Sequence, residues 1–280
     1  AQIIREYFYN TNGLFQDNIF IGDLVTGFLV ACLVGTVIFG GIKRIAMVAS
    51  KMVPIMVGVY LIAAIIIIGK NIFIIPDIFS LIIHDAFSGN AVAGGAIGSM
   101  IIIGVRRGLF SNEAGTGTET MAHGAAKTKE PVREGLVAML GPFIDTIIVC
   151  SITAIVILIS GVYNQDLEGV SMTVSAFESE LGSIGKLVIM VAALTFSLST
   201  MFGYSYYGRK CTSYLFGTKW KPVYNYFYVS MIIVASTIKL DIAINFMDSA
   251  FALMVIPTII STLLLAPKVL EESRRYFQGL

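Results

Sequence analysis

Apolar residues dominate seven stretches of the chain, at roughly 22–41, 52–69, 92–110, 135–160, 184–205, 222–240 and 242–265. A bilayer core is crossed by about 20 apolar residues in a helix, so each stretch predicts a transmembrane helix. Only a tight turn around Lys239 and Asp241 separates the last two. Residues 1–21, with Arg5, Glu6, Asp17 and several aromatics, predict an extramembrane or interfacial lead-in, and residues 266–280 a cytoplasmic tail. The pattern predicts an all-α polytopic membrane protein, one transmembrane domain over 1–280 with its helices in 22–265.

The third stretch is unusual. Gly94, Gly95, Gly98, Gly104 and Gly108 fall within it, and each Gly in a helix costs about 1 kcal/mol relative to Ala. Two readings stay open. Gly94 with Gly98, and Gly104 with Gly108, form GxxxG pairs suited to close helix packing. Alternatively the helix is interrupted, as in transporters whose broken helices hold substrate and ion.

Composition agrees with a lipid setting: 56% of residues are hydrophobic and 13% charged, with a mean hydropathy of +0.83, whereas soluble domains carry about 25% charged residues. A net charge of +1 offers no general attraction to nucleic acid. Cys32, Cys150 and Cys211 form no disulfide framework or metal-ligand spacing. The chain opens on Ala1 and a polar segment without a signal-peptide pattern, which suggests a fragment of a longer protein.

The basic residues are sorted by loop. Lys43, Arg44, Lys51, Arg106, Arg107, Lys127, Lys129, Arg133, Arg209, Lys210, Lys219, Lys221, Lys268, Arg274 and Arg275 fall on one side. The alternate loops hold Arg5, Lys70, Lys186 and Lys239 beside Asp77, Asp85, Asp166, Glu168, Glu178 and Glu180. The positive-inside rule then puts the N-terminus outside and the C-terminus in the cytoplasm. Leu109 to Glu134 is a mixed cytoplasmic segment, read as a short helix or re-entrant element; it lacks GxxxxGK[ST].

Charges inside spans are site candidates by default. Asp145 follows Gly141-Pro142 and reads either as a proton or cation site or as a structural cap for backbone freed by Pro142. Asp248, one turn after Asn245, reads as an outer-gate partner for a basic residue or as a vestibule group. The fifth span carries Thr195, Ser197, Ser199 and Thr200, four hydroxyls within six residues. Ser199, Thr200 and the carbonyl of Phe196 offer hard oxygen ligands, while Thr200 and Tyr204 share a helix face. A small-residue packing face is the other reading.

Four strings carry a resemblance: Arg107-Gly-Leu-Phe-Ser-Asn-Glu-Ala-Gly115, Pro131-Val-Arg-Glu-Gly-Leu-Val-Ala-Met-Leu-Gly141, Phe143-Ile-Asp-Thr146 and Gly203-Tyr-Ser-Tyr-Tyr-Gly208. Together the chain is similar to the alanine/glycine:cation symporter family, from about Leu24 to Ala266. The resemblance implies a LeuT-type five-plus-five inverted repeat in a bacterial or archaeal inner membrane. It implies import of a small neutral amino acid, alanine or glycine, with Na+ and sometimes H+. Family members have about eleven spans, so alignment from the C-terminus makes spans three to seven the second repeat and leaves the first three core helices missing.

The resemblance makes Gly94 to Ser99, including Gly95 and Gly98, the unwound substrate-facing region. It makes Ser199, Thr200 and the Phe196 carbonyl half of a sodium site, and gives Thr200 and Tyr204 the substrate pocket. Three departures stand out: Tyr204 where the family usually has Trp, Arg209 where it has an acid, and Thr118-Glu119-Thr120-Met121 after the Asn-Glu-Ala-Gly motif. The rival readings are a channel-like or non-transporting membrane subunit, a fragment inactive alone, and a membrane-embedded hydrolase using Asp145 and Asp248, or a Ser with His123. No Gly-x-Gly-Asp or Gly-x-Ser-x-Gly string supports the last, and no enzymatic activity is expected.

Overall fold

The first long helix, α1 (Ile19–Ile38), starts where the side chain of Asn18 accepts the Ile21 N–H at 3.3 Å, satisfying a backbone donor that the helix cannot. It ends at a glycine pair, because Gly41 takes a φ of +71°, in the left-handed region. The structure, a computed structural model, describes residues 2–9, 15, 18–86, 96–113, 115–167 and 169–279. After α1 come α2 (Gly41–Lys70), α3 (Ile75–Ala86), α4 (Ala96–Ser111), α5 (Thr118–His123) and α6 (Pro131–Ser160). Then follow α7 (Gly169–Leu181), α8 (Ser183–Phe216), α9 (Lys221–Ser236) and α10 (Leu240–Gln278). Phe143–Cys150, inside α6, is π-helical.

Among the described residues, α1, α2, α6, α8 and α10 are long and apolar enough to cross a membrane. The third and sixth predicted spans correspond to α4 and α9, with 16 described residues each. Several helices outrun the apolar stretches. Residues 41–51 belong to α2, α8 continues to Phe216, and the predicted tail is helical to Gln278 through Pro257 and Pro267. Apolarity marks where lipid is met, whereas backbone hydrogen bonding continues until a terminator such as Gly217, with φ +89°. Helices α3 and α7, in stretches read as loops, carry too few apolar residues to register as spans.

The chain divides into two compact units. The first, residues 1–69 and 160–244, is built on α1, α2, α7, α8 and α9. Val34, Val37 and Ile38 of α1, Ile45 of α2, and Phe202 and Tyr206 of α8 form its buried cluster. Tyr228 and Ile232 of α9 pack on that cluster. Lipid is as apolar as these side chains, so close packing rather than water exclusion holds such helices together. The buried face of α1 is accordingly rich in small residues, including Gly27, Ala31 and Gly35. At the start of α1, Asp23 accepts Arg5 at 2.6 Å and Tyr9 bonds Thr26 at 2.9 Å, tying down the lead-in.

The second unit, residues 70–159 and 245–280, contains α3, α4, α5, nearly all of α6 and most of α10. Ion pairs join its elements: Arg275 of α10 reaches Glu130 at 3.4 Å, and His123 of α5 meets Glu134 of α6 at 2.8 Å.

Candidate substrate and cation site

Helix α8 has two unlike faces. Phe202, Ser205 and Tyr206 are buried. Phe196 and Thr200 are exposed, and Ser199 and Tyr204 half-buried, so the predicted site residues lie away from the core cluster. Each hydroxyl of the Thr195–Thr200 segment donates one turn back, as hydroxyls in membrane helices do. Thr195 donates to the Val191 carbonyl and Ser197 to that of Ala193. The Phe196 carbonyl differs, because it accepts both Ser199 Oγ at 2.8 Å and Thr200 Oγ1 at 3.0 Å. Two hydroxyl oxygens are thereby fixed side by side with their protons turned inward. Their lone pairs stay available. The carbonyl itself is committed, so the hydroxyl oxygens rather than Phe196 are the open donors. One turn on, the Tyr204 ring stands edge-on to Tyr207 with centroids 5.6 Å apart.

Of the other predicted residues, Gly94 and Gly95 lie outside the described residues. Gly98 and Ser99 belong to the first turn of α4, so the stretch expected to be unwound is helical from Ala96 onward. The opposite end of α4 makes the contacts that sequence reasoning missed. Ser111 Oγ donates to Asp145 Oδ2 at 2.6 Å. Asn112 Nδ2 donates to Thr146 Oγ1 at 2.8 Å, and that hydroxyl lies 3.2 Å from Asn112 Oδ1. Two adjacent residues thus clasp two adjacent residues on the π-helical turn of α6. The signal was present: Ser111-Asn112 and Asp145-Thr146 sit in two of the strings that carry the resemblance. Following the clasp, Glu113, Gly115 and Gly117 have positive φ values, and Thr116 and Thr118 bury their hydroxyls against each other at 2.8 Å.

Asp145 is therefore engaged by a hydroxyl rather than by backbone freed at Pro142. A charge-assisted bond of this kind contributes about 1.5–3 kcal/mol. Ser111→Ala and Asp145→Asn are expected to destabilise singly, with the double variant losing less than the sum by about 1 kcal/mol. Unfolding midpoints of the four proteins in detergent measure this, and additive losses would show the bond to be energetically idle.

Asp248 lies on α10, its Oδ2 3.8 Å from Arg106 Nη1 on α4. Its Oδ1 is buried and has no hydrogen-bond partner among the described residues. Charge sorting assigns Arg106 to the cytoplasmic loops and Asp248 to the outer end, yet the structure brings the two together. Helix α10 has 39 residues, about 58 Å against a hydrocarbon core of about 30 Å, so position along it is a poor gauge of depth.

Helices of this length and apolarity, with polar groups gathered on an exposed face, define a multi-pass helical membrane protein. The chain belongs to the sodium:alanine symporter family, whose model matches residues 6–280. A Haemophilus influenzae protein described as an uncharacterized transporter is 40% identical over 271 residues, 95% of this chain and 59% of its own length. A sodium/alanine symporter of Methanococcus maripaludis is 39% identical over 263 residues, 92% and 58% of the two chains. A probable sodium/glutamine symporter of Bacillus subtilis is 34% identical over 270 residues, 95% and 56%. The chain thus spans somewhat more than half the length of these relatives.

Proposed function

We propose that this chain forms the C-terminal part of a Na+-coupled symporter that imports a small neutral amino acid, alanine or glycine, by alternating access. One observation carries the reading: Ser199 and Thr200 point their protons into the Phe196 carbonyl and leave two hydroxyl oxygens open on an exposed face. Na+ is a hard cation that takes oxygen donors. Backbone groups from the first broken helix of the five-plus-five repeat complete its shell, and the Phe196 carbonyl joins when a hydroxyl rotates away.

Gly94, Gly95, Gly98 and Ser99 supply backbone groups to the zwitterion, and Thr200 and Tyr204 shape the space around its side chain. Tyr204, where Trp is usual in the family, leaves that pocket slightly larger or more polar. Asp248, paired loosely with Arg106, serves as a gate. The N-terminus lies outside and the C-terminus in the cytoplasm, the chain working within a single transmembrane domain of seven spans. H+ replaces Na+ as the coupling ion in the variant of this scheme.

Labelled alanine uptake into vesicles, with and without a sodium gradient, tests the reading. The longer gene product implied by the relatives' length is expected to show sodium-dependent uptake, and the 280-residue chain alone none. Uptake by the longer product that ignores sodium would overturn the coupling, and uptake by neither the substrate class.

A further inference from the structure

One end of the first unit is strongly and singly charged. Lys43, Arg44 and Lys51 lie on α2, Arg209 and Lys210 on α8, and Lys219 and Lys221 at the start of α9. None of the seven forms an ion pair among the described residues. The sequence supplies no local partner either, with no Asp or Glu between Asp23 and Asp77 or between Glu180 and Asp241.

Helix lengths bring these charges to one level. With 30 and 34 residues, α2 and α8 extend about 45 Å and 51 Å, beyond a hydrocarbon core of about 30 Å. The Arg209 guanidinium lies over Gly41, 3.6 Å from where a side chain there would begin, so the start of α2 and the last turns of α8 overshoot at the same end. Arg209 and Lys210 both flank the Tyr206 ring, at 5.9 and 5.5 Å from its centroid. Tyr214, Phe216 and Trp220 stand exposed beside them, the aromatic type found where a helix leaves the hydrocarbon.

We propose that this end binds anionic phospholipid headgroups of the adjoining leaflet, with Arg209 and Lys210 at the centre and Lys43 and Arg44 on the flank. Unpaired cations at headgroup level gain most from a phosphodiester that carries net charge, as in phosphatidylglycerol. A zwitterionic headgroup offers its phosphate with a cation attached, which the patch repels. The surface is independent of how the chain handles sodium or substrate.

Trp220 is the sole tryptophan and reports on the patch directly. The detergent-solubilised chain is titrated with short-chain phosphatidylglycerol, with phosphatidylcholine and with inorganic phosphate, following Trp220 emission. Phosphatidylglycerol is expected to shift the emission saturably, less so in high salt, and the other two to leave it unchanged. Arg209→Gln with Lys210→Gln is expected to weaken binding roughly thirtyfold. Lys43→Gln with Arg44→Gln, at exposed positions that leave packing intact, is expected to weaken it roughly tenfold or more. Equal response to the two lipids, saturation by phosphate alone, or unchanged affinity in the Lys43 and Arg44 variant would each overturn the proposal.

Discussion

Uptake by the Thr200→Ala protein, made in the longer gene product, is expected to need at least about tenfold more sodium for half-maximal rate. Thr200 Oγ1 is one of two open hydroxyl oxygens on the exposed face of α8. A lost oxygen ligand costs on the order of 1.4 kcal/mol or more, which is the tenfold change. Folding should hardly notice, because among the described residues the hydroxyl bonds only to the carbonyl of Phe196 on its own helix. Thr200→Ser keeps the oxygen and is expected to retain most of the sodium response. Unchanged sodium dependence in Thr200→Ala would remove Thr200 from the ion site, whatever happened to the uptake rate.

Gly27→Leu is expected to cost about 3 kcal/mol of stability, near the upper end for overpacking. A methyl at Gly27 already overlaps the Ser236 side chain and would stand 3.3 Å from the Ile233 Cα, so backbone as well as a side chain must retreat. Among the described residues, helices α1 and α9 pack here more extensively than any other pair. Separating them loses dispersion contacts, and lipid filling the gap gives no compensating hydrophobic gain. Gly58→Leu is the control, since nothing lies within 4 Å of a side chain there; it is expected to be neutral or slightly stabilising. Comparing unfolding midpoints of the two variants in detergent decides the matter, and equal midpoints would mean that α1 and α9 do not touch.

The two predictions differ in how visible their basis is in the sequence. The hydroxyl cluster on α8 could be read directly, because helical spacing alone puts residues 196, 199, 200 and 204 on one side. That the Phe196 carbonyl receives two hydroxyls at once could not, since each donor chooses among carbonyls three and four residues back. The apolar stretches located the membrane helices but not their ends. Hydropathy falls at Lys51 and at Tyr206–Arg209, yet α2 and α8 run through those positions. The contact of Gly27 with Ser236 spans more than two hundred residues and has no local trace beyond a small residue at each place. The clasp of Ser111-Asn112 on Asp145-Thr146 lay between legible and hidden: both strings were distinctive, but their pairing depends on the loop turning at Glu113 and Gly115. The glycines at 94 and 95 lie outside the described residues; Gly98 is helical, and no described atom stands within 4 Å of a side chain built at Gly104 or Gly108, so the packing reading has no support at that pair.

The π-helical turn at Phe143–Cys150 has a consequence for alignment and for engineering. Pairing i with i+5 instead of i+4 holds one more residue than the α-helical path would need. The turn is therefore a built-in insertion, and removing one residue from it between Thr146 and Ser151 would let α6 close up as a continuous α-helix. Such a deletion would keep the span intact while rotating everything on the Pro131 side by about one residue step relative to Ser151–Ser160. Asp145 and Thr146 would turn off the side that meets Ser111 and Asn112. Length variation at this point among related chains thus amounts to a change of facing, and a gap placed here should be read as a gain or loss of the clasp.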